Sequence, residues 1–253
     1  MAEWFAVGKA DAQGRALLLV HGAGGSHALW GLVVQELRRR GIPAVALDLP
    51  GHGRSGGEPR TTVEAYARDV EEAAGRLGAA RYVAVGHSMG GAVVLTLGAR
   101  RAPGLAGVGA VSTGARLPVD PMILRGAREA FQCTVENLAR FCFAQGTPEE
   151  IWRDAARTLA AAGPGVLYAD FTACDGFSLG DEELARVEVP VEVVCGTVDV
   201  LTPLRLSEEL AARLPRAHLT RLEGCGHMPL IEAPQRLGEA LGRLWDRAFG
   251  GGG

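Results

Sequence analysis

The chain has 253 residues, of which 47% are hydrophobic and 22% charged, and its formal net charge at pH 7 is -3. This length and composition suit one large globular α/β domain with an insertion, and the charge argues against nucleic acid as a partner. No apolar run approaches the roughly 20 residues that span a bilayer, and residues 1–4 do not begin a basic-then-apolar leader, so we expect a cytoplasmic protein without a membrane span.

Short β-branched or leucine-rich runs alternate with longer segments of helical period, which is typical of a mostly parallel sheet with helices on both faces. The predicted strands are residues 16–20, 43–47, 82–85, 107–112, 191–195 and 218–222. The predicted helices cover residues 29–37, 63–77, 206–214 and 237–249. Thr61 with Glu64 predicts a capping box for the second helix, and Thr202 followed by Pro203 predicts the start of the third.

Residues 115–186 break this alternation, because they contain helical stretches and no strand-like run. Thr147-Pro148-Glu149-Glu150 predicts a helix start there. We therefore expect a helical cap at 115–186, inserted into a core formed by 1–114 and 187–253. The cap holds half of the chain's aromatic residues. Some of them are expected to pack its own small core, and Phe141, Trp152 and Phe171 are predicted to contact substrate in an apolar pocket.

The stretch Gly86-His87-Ser88-Met89-Gly90 joins a predicted strand to a predicted helix. A serine at the apex of such a sharp turn needs glycine two residues before and two after it, and its hydroxyl is pushed out of the turn. This pattern predicts that Ser88 is a nucleophile. A glycine-rich turn of this kind also occurs in α/β domains without catalytic function, so the partners of Ser88 decide the interpretation.

Two candidate partners follow later strands. Asp199 lies in the loop after residues 191–195, at the sheet edge where catalytic groups of open α/β sheets gather. It could instead be a loop carboxylate near the next helix, but Thr202 is predicted to fill that cap position. Asp120 and Asp175 are weaker candidates, since neither follows a predicted strand of the sheet. His227 follows the last strand in a glycine-rich loop and completes the order serine, aspartate, histidine.

The loop His21-Gly22-Ala23-Gly24-Gly25 follows the first predicted strand. A dinucleotide-binding loop would need a third glycine where His27 stands, and no lysine follows a suitable loop for a P-loop. Such a loop can instead aim a backbone N–H at an oxyanion. The N–H groups of Ala23 and Met89 are the predicted donors, and Gly22 is a predicted substrate contact.

The five cysteines, at positions 133, 142, 174, 195 and 225, are odd in number and lack C-x-x-C spacing. This argues against a disulfide framework and a zinc site. Cys225, two residues before His227, has no strand-to-helix turn around it and is interpreted as structural. The sequence predicts no metal and no organic cofactor.

At this point the chain resembles the α/β-hydrolase superfamily along nearly its full length. The residues that carry the resemblance occur in the family's order: His21 to Gly25, Asp48 to Ser55, Gly86 to Gly91, Gly196 to Asp199 with Pro203, and Gly224 to His227. The resemblance implies a triad of Ser88, Asp199 and His227, an oxyanion hole from Ala23 and Met89, and a helical cap over the site. It assigns no chemistry to Asp48 to Ser55.

From these residues we expect a serine esterase that cleaves a small to medium, apolar carboxylic ester or thioester through an acyl-enzyme at Ser88. Two alternatives stay open. The first is a lactonase or carbon–carbon bond hydrolase with the same triad. The second is a receptor that binds a ligand in the capped pocket without catalysis. The partner of an esterase, of a lactonase or of a carbon–carbon bond hydrolase is a small-molecule substrate. The family alone does not name that substrate.

Overall fold

The computed structural model describes residues 5–250; residues 1–4, where the sequence predicted no leader, and the last three glycines lie outside the described part. Its strands are β1 (Phe5–Gly8), β2 (Arg15–Val20), β3 (Ala44–Asp48), β4 (Arg81–His87), β5 (Leu105–Val111), β6 (Val191–Gly196) and β7 (Ala217–Leu222). Within residues 5–250 these seven strands form one sheet in the order β1-β3-β2-β4-β5-β6-β7. β1 runs antiparallel to β3, and the other neighbouring pairs are parallel.

Helices cover both faces of this sheet. The α-helices within residues 5–250 are α1 (Gly31–Arg39), α2 (Val63–Arg76), α3 (Met89–Ala99), α4 (Pro121–Glu129), α5 (Phe131–Phe141), α6 (Glu149–Ala162), α7 (Pro164–Asp175), α8 (Asp181–Ala185), α9 (Leu204–Arg213), α10 (Pro229–Glu232) and α11 (Pro234–Phe249). None of the helices within residues 5–250 combines the length and the apolar character that crossing a bilayer requires.

The central strands are apolar on both faces because both faces are buried. On one face, α1 and α11 pack over Leu17 and Leu19 of β2. On the other face, α2 and α3 pack over Leu18 and Val20. Alternation of side chains along the strand therefore gives each layer its own core. This arrangement confirms the predicted fold class, a mostly parallel sheet with helices on both sides.

The six predicted strands are present, and their ends differ from the prediction by at most two residues. β1 was not predicted, because it is a four-residue edge strand whose side chains are half-buried or exposed. Such a strand carries neither an apolar run nor a clear alternation. Its backbone pairs with β3 from Phe5 opposite Asp48 to Gly8 opposite Val45.

The predicted caps Thr61 and Thr147 each lie one residue before the observed cap position. α2 begins at Val63, so its cap is Thr62, whose hydroxyl accepts a hydrogen bond from Ala65 N–H at 3.3 Å. Thr61 lies one residue too early for this. α6 begins at Glu149, with Pro148 in the preceding cap position and no side-chain cap from Thr147. Pro148 is itself extended, with ψ 140°, so Glu149 is the first helical residue.

The segment between β5 and β6 contains α4 to α8, and within it the described backbone forms one isolated bridge, between Arg116 and Ser178. Five buried residues, Val135, Leu138, Ala139, Ala156 and Leu167, form a small core of its own. The end of α7 packs on the main core instead, through Ala173 and Cys174. The exact division at residues 115 and 186 stays a prediction.

Candidate active site

Ser88 lies at the apex of the turn between β4 and α3. Its backbone has φ 54° and ψ -117°, a conformation that costs a residue other than glycine on the order of 1–3 kcal/mol. The turn is tight enough to forbid side chains two residues before and two residues after the serine. A Cβ on Gly86 would lie 1.9 Å from the Gly90 carbonyl oxygen, and a Cβ on Gly90 would lie 2.4 Å from the Val20 carbonyl oxygen. The strained turn holds Ser88 half-exposed at the sheet edge.

The strand order explains why the loop of residues 21–25 lies beside this serine. β2 and β4 are neighbours, but the helices that follow them, α1 and α3, pack on opposite faces of the sheet. The two connections diverge, and ligands of open α/β sheets bind in the crevice that such a divergence leaves. A Cβ on Gly22 would lie 3.1 Å from the Ser88 Cβ. A side chain at position 22 would crowd the serine, so glycine suits this close approach of the loop.

Asp199 and His227 follow β6 and β7 and are in contact. The distance from His227 Nδ1 to Asp199 Oδ2 is 2.9 Å, and both side chains are buried. Since Nδ1 carries the proton toward the carboxylate, Nε2 of the neutral ring is left as an acceptor, the form that a general base needs. The ring lines the same cavity as Ser88.

The Asp199 carboxylate is held by several donors. Leu201 N–H and Thr202 N–H each donate to Oδ1 at 2.9 Å, and the Thr202 hydroxyl donates to Oδ2 at 2.8 Å. Burial alone would raise the pKa of Asp199, but the adjacent His227 and these donors outweigh it, so the pKa lies below its usual value. The carboxylate is therefore ionised at neutral pH.

Thr202 does not cap α9, contrary to the prediction. The position before that helix belongs to Pro203, and α9 begins at Leu204. The Thr202 hydroxyl bonds to Asp199 and also lies 3.1 Å from His227 Nδ1. A threonine directly before a proline is typical of a helix start, which is why the sequence predicted a cap. In the structure the loop after β6 turns the Thr202 hydroxyl toward the Asp199 carboxylate.

The two weaker aspartate candidates have local structural partners. Asp120 caps α4 by accepting the Met122 N–H at 2.8 Å, although it lies on the cavity wall. Asp175 accepts the Val119 N–H at 3.0 Å. The structure brings neither of them into hydrogen-bond contact with a histidine in the described part of the chain. Asp199 is the candidate carboxylate that the fold brings to His227.

The predicted oxyanion donors lie on either side of Ser88. Met89 is the first residue of α3, where backbone N–H groups have no partner inside the helix. Ala23 lies on the cavity wall. Within residues 5–250 neither N–H donates to a protein acceptor. Two free N–H groups beside a half-exposed serine suit the binding of developing negative charge.

The Ala23 N–H belongs to a peptide unit whose oxygen is held in place. The Gly22 carbonyl accepts from His21 Nδ1 at 2.8 Å and from Gly25 N–H at 3.1 Å. Because C=O and N–H of one trans peptide point in opposite directions, holding the Gly22 oxygen also aims the Ala23 N–H. Burial, with the nearby His52, lowers the pKa of His21 to about 4, so this ring is neutral at pH 7.

A cavity of about 350 Å³ opens in front of Ser88 and His227. Its wall away from the sheet is mostly aliphatic and comes from the segment between β5 and β6, with contributions from Leu117, Ile123, Leu138 and Leu159. Charged residues on the wall are Arg116, Asp120 and Arg205. The space suits a small or medium apolar group.

Of the four predicted substrate contacts, Gly22 and Phe171 lie on this cavity wall. Phe141 and Trp152 do not. Phe141 is 58% exposed at the end of α5. Trp152 of α6 is half-buried, and the guanidinium carbons of Arg140 and Arg153 lie 4.9 and 5.6 Å from its ring centre. Phe141 and Trp152 therefore do not line the cavity, in contrast to the prediction.

The cysteines near the site are poor nucleophiles. Cys142 lies on the cavity wall, and burial, with Asp199 nearby, raises the pKa of its thiol to about 12. Burial also raises the pKa of Cys225 well above its usual value, and Glu232 adds to the effect. Since the thiolate is the reactive form, both thiols are inert at neutral pH. This agrees with the structural interpretation of Cys225.

Sequence reasoning did not identify Glu232 as a support of the histidine loop. Its carboxylate accepts N–H groups of Gly226 at 3.1 Å and of Met228 at 3.2 Å, on either side of His227. It also accepts the Ala144 N–H at 2.8 Å from the segment between β5 and β6. Glu232 follows Pro229 at the start of α10, so it resembled an ordinary residue of a first helical turn.

Comparison with known proteins gives one family. The sequence profile described as "Alpha/beta hydrolase family" matches residues 17–240. The chain is 29% identical to a pimeloyl-[acyl-carrier protein] methyl ester esterase of Sodalis glossinidius, over 94% of this chain and 95% of that protein. It is also 29% identical to a putative carbamate hydrolase of Caulobacter vibrioides, over 89% of this chain and 88% of that protein. A solved thermophilic esterase matches with a TM-score of 0.84 and 28% identity, covering 98% of this chain and 99% of that one.

Proposed function

This chain belongs to the alpha/beta hydrolase family, and on that premise we propose that it is a serine esterase acting on small to medium, apolar carboxylic esters or thioesters. One observation carries the proposal. Ser88, Ala23 and His227 line one cavity, Asp199 is paired with His227 behind it, and Met89 follows the strained serine with a free N–H. A nucleophile, a base with an orienting carboxylate and an oxyanion site are the parts that acyl transfer needs.

In the first half of the reaction, His227 Nε2 takes the proton of the Ser88 hydroxyl while the serine oxygen attacks the ester carbonyl. The carbonyl oxygen becomes an anion, which the N–H groups of Ala23 and Met89 stabilise. Asp199 holds the ring in the correct tautomer and stabilises the imidazolium. The carbon–oxygen bond of the leaving group breaks, and the imidazolium returns its proton to the departing alcohol. The product is an ester of Ser88.

In the second half, His227 removes a proton from water, and the resulting hydroxide attacks the acyl carbon. The same N–H groups hold the second oxyanion. The bond to Ser88 then breaks, the serine oxygen regains its proton from His227, and the carboxylic acid leaves. No step needs a metal or an organic cofactor. We also propose that the helices of residues 115–186 act as a cap that covers the acyl group in the cavity.

A fluorophosphonate ester tests the nucleophile. We expect one adduct per chain on Ser88, seen as a single mass increase in the intact protein and located by peptide mass spectrometry. Ser88→Ala should give no adduct. Cys142→Ala is the matched control, since it changes a cavity residue whose thiol stays protonated, and it should label as the parent does. A parent that stays unlabelled where a known serine esterase labels contradicts the proposal.

The aliphatic cavity predicts the substrate class. We expect kcat/KM for p-nitrophenyl esters to peak at acyl chains of about four to eight carbons and to fall for longer or anionic acyl groups. Phe171→Ala should move the optimum toward longer chains, because it enlarges the cavity. Phe141→Ala, which changes an exposed residue, should leave the chain-length profile unchanged. A preference for charged or very long acyl groups, or for lactones over esters, would overturn this assignment.

A further inference from the structure

Asp170 of α7 is fully buried at the junction between the helical segment and the loop of residues 21–25. Its Oδ2 accepts the Gly24 N–H at 2.7 Å and lies 2.8 Å from His52 Nε2. Its Oδ1 accepts the Tyr66 hydroxyl at 2.6 Å. Three donors from three other parts of the chain converge on one carboxylate. The chemistry of acyl transfer described above uses none of these four residues.

The partners of His52 show that its ring is charged. Nε2 faces the Asp170 carboxylate, and Nδ1 lies 3.0 Å from the Pro50 carbonyl oxygen, which can only accept. Both ring nitrogens must therefore donate, which requires the imidazolium. Burial opposes this charge, but the hydrogen bond and charge of Asp170 outweigh it and raise the pKa of His52. Asp170 and His52 form a buried ion pair with satisfied hydrogen bonds.

This ion pair contacts His21, the residue that aims the Ala23 N–H. The rings of His21 and His52 lie 4.8 Å apart. A positive His52 disfavours a second positive charge on His21, whose Nε2 must stay unprotonated to accept the Leu49 N–H at 3.1 Å. The neutral ring then carries its proton on Nδ1 and donates it to the Gly22 carbonyl. Asp170 thus acts on both peptide units around Ala23, directly at Gly24 and through the two histidines at Gly22.

The loop is also packed directly under the helical segment. Gly24 has φ +63°, and a Cβ there would lie 2.9 Å from side-chain atoms of Leu159 and Leu167. The loop backbone therefore contacts α6 and α7 without an intervening side chain. The Asp170 bond to Gly24 N–H lies at this contact, where it is shielded from water.

We propose that Asp170 is a positioning residue that holds residues 21–25 in the geometry in which the Ala23 N–H faces the oxyanion. This rests on the proposed esterase function. The helical segment thereby supplies part of the support of the oxyanion hole, in addition to the wall of the cavity.

The test is Asp170→Asn, with Asp154→Asn as the matched control. Asp154 lies on the exposed side of α6 and pairs only with Arg157 in the described part of the chain. For p-nitrophenyl butyrate we expect Asp170→Asn to lower kcat about tenfold to a hundredfold with KM changed less than threefold. A trifluoromethyl ketone, which forms a tetrahedral oxyanion on serine, should bind weaker by the same factor. Asp154→Asn should match the parent in all three quantities.

Backbone hydrogen exchange gives a second readout that does not need activity. In Asp170→Asn the amides of Gly24 and Gly25, which are hydrogen-bonded in the parent, should exchange about tenfold faster or more, while those of β4 keep the parental rate. If Asp170→Asn does not fold, Tyr66→Phe removes one of the three donors and should give a smaller change in the same direction. Unchanged kcat, ketone affinity and loop exchange would overturn the proposal, and so would a lowered Tm with kcat retained.

The two proposals fail in different ways. A parent protein that neither labels with fluorophosphonate nor cleaves esters ends the esterase assignment, while the exchange measurement still decides whether Asp170 holds the loop. A parent that labels at Ser88, combined with an Asp170→Asn variant of parental behaviour, ends only the positioning function.

Discussion

Replacing Asp199 with asparagine is expected to lower kcat for ester hydrolysis about 10⁴-fold while the protein folds as the parent does. The carboxylate accepts the proton of His227 Nδ1 at 2.9 Å. An asparagine amide can turn its NH₂ group toward that nitrogen, and the ring then carries its proton on Nε2. A ring protonated there cannot take the proton of Ser88. The kcat of the purified variant, with its circular dichroism spectrum, measures the effect.

Thr202→Val is the graded control for this change. It removes the hydroxyl that donates to Asp199 at 2.8 Å and keeps the carboxylate. We expect kcat to fall by no more than about tenfold, since one of several hydrogen bonds to the carboxylate is lost. If Asp199→Asn retains kcat within tenfold of the parent, then another group orients His227 and the triad assignment fails.

Gly86→Ala is expected to destabilise the fold by more than about 3 kcal/mol, or to prevent folding altogether. Its Cβ would lie 1.9 Å from the Gly90 carbonyl oxygen and 2.6 Å from the Gly91 nitrogen. These are backbone atoms of the turn and of the first turn of α3, so no side chain can move aside. The free energy of unfolding in urea, or the soluble yield where the variant does not fold, measures the effect.

Gly75→Ala provides a control with the opposite sign. Gly75 lies in α2 with open space around its Cα. Alanine there should stabilise the protein by up to about 1 kcal/mol, because it restricts the unfolded chain and favours helix. Equal effects of the two substitutions, or a Gly86→Ala variant as stable as the parent, would show that the turn does not require glycine at position 86.

The strands, Ser88, Asp199 and His227 could be predicted because the features that define them lie close together in the sequence. A parallel strand buried on both faces is a continuous apolar run, as in Leu17–Val20, and such a run is recognisable without knowing which strands pair with it. The turn around Ser88 depends on glycines two residues away. Asp199 and His227 stand in short loops directly after strands. In each case the neighbours along the chain carry the information.

The supports of the site could not be predicted, because they join distant positions. His52 Nε2 and Asp170 are 118 residues apart in the chain, and Gly24 and Asp170 are 146 apart. No spacing rule connects them. The sequence neighbours of His21, His52 and Asp170 give no sign that these three residues meet. Their function emerges only when α7 lies over the loop after β2.

The aromatic residues show the same limit in another form. Phe141 and Trp152 lie on the amphipathic helices α5 and α6, and Phe171 lies on α7, which is largely buried. A helical period indicates that one face of a helix is buried. It does not indicate whether that face contacts a neighbouring helix, a cavity or arginine side chains. Packing brings Phe171 to the cavity, whereas Arg140 and Arg153 cover Trp152.

The contact between Glu232 and Ala144 has a consequence for how such a protein can diverge. The group that the carboxylate binds is a backbone N–H, and the loop itself returns a backbone bond from His227 N–H to the Cys142 carbonyl at 2.8 Å. Neither contact depends on the side chain at position 142 or 144. Any residue except proline at 144 can supply the donor. The side chains at positions 142 and 144 can therefore change during evolution, or in a mutant library, without loss of the two backbone hydrogen bonds that join these positions to Glu232 and His227.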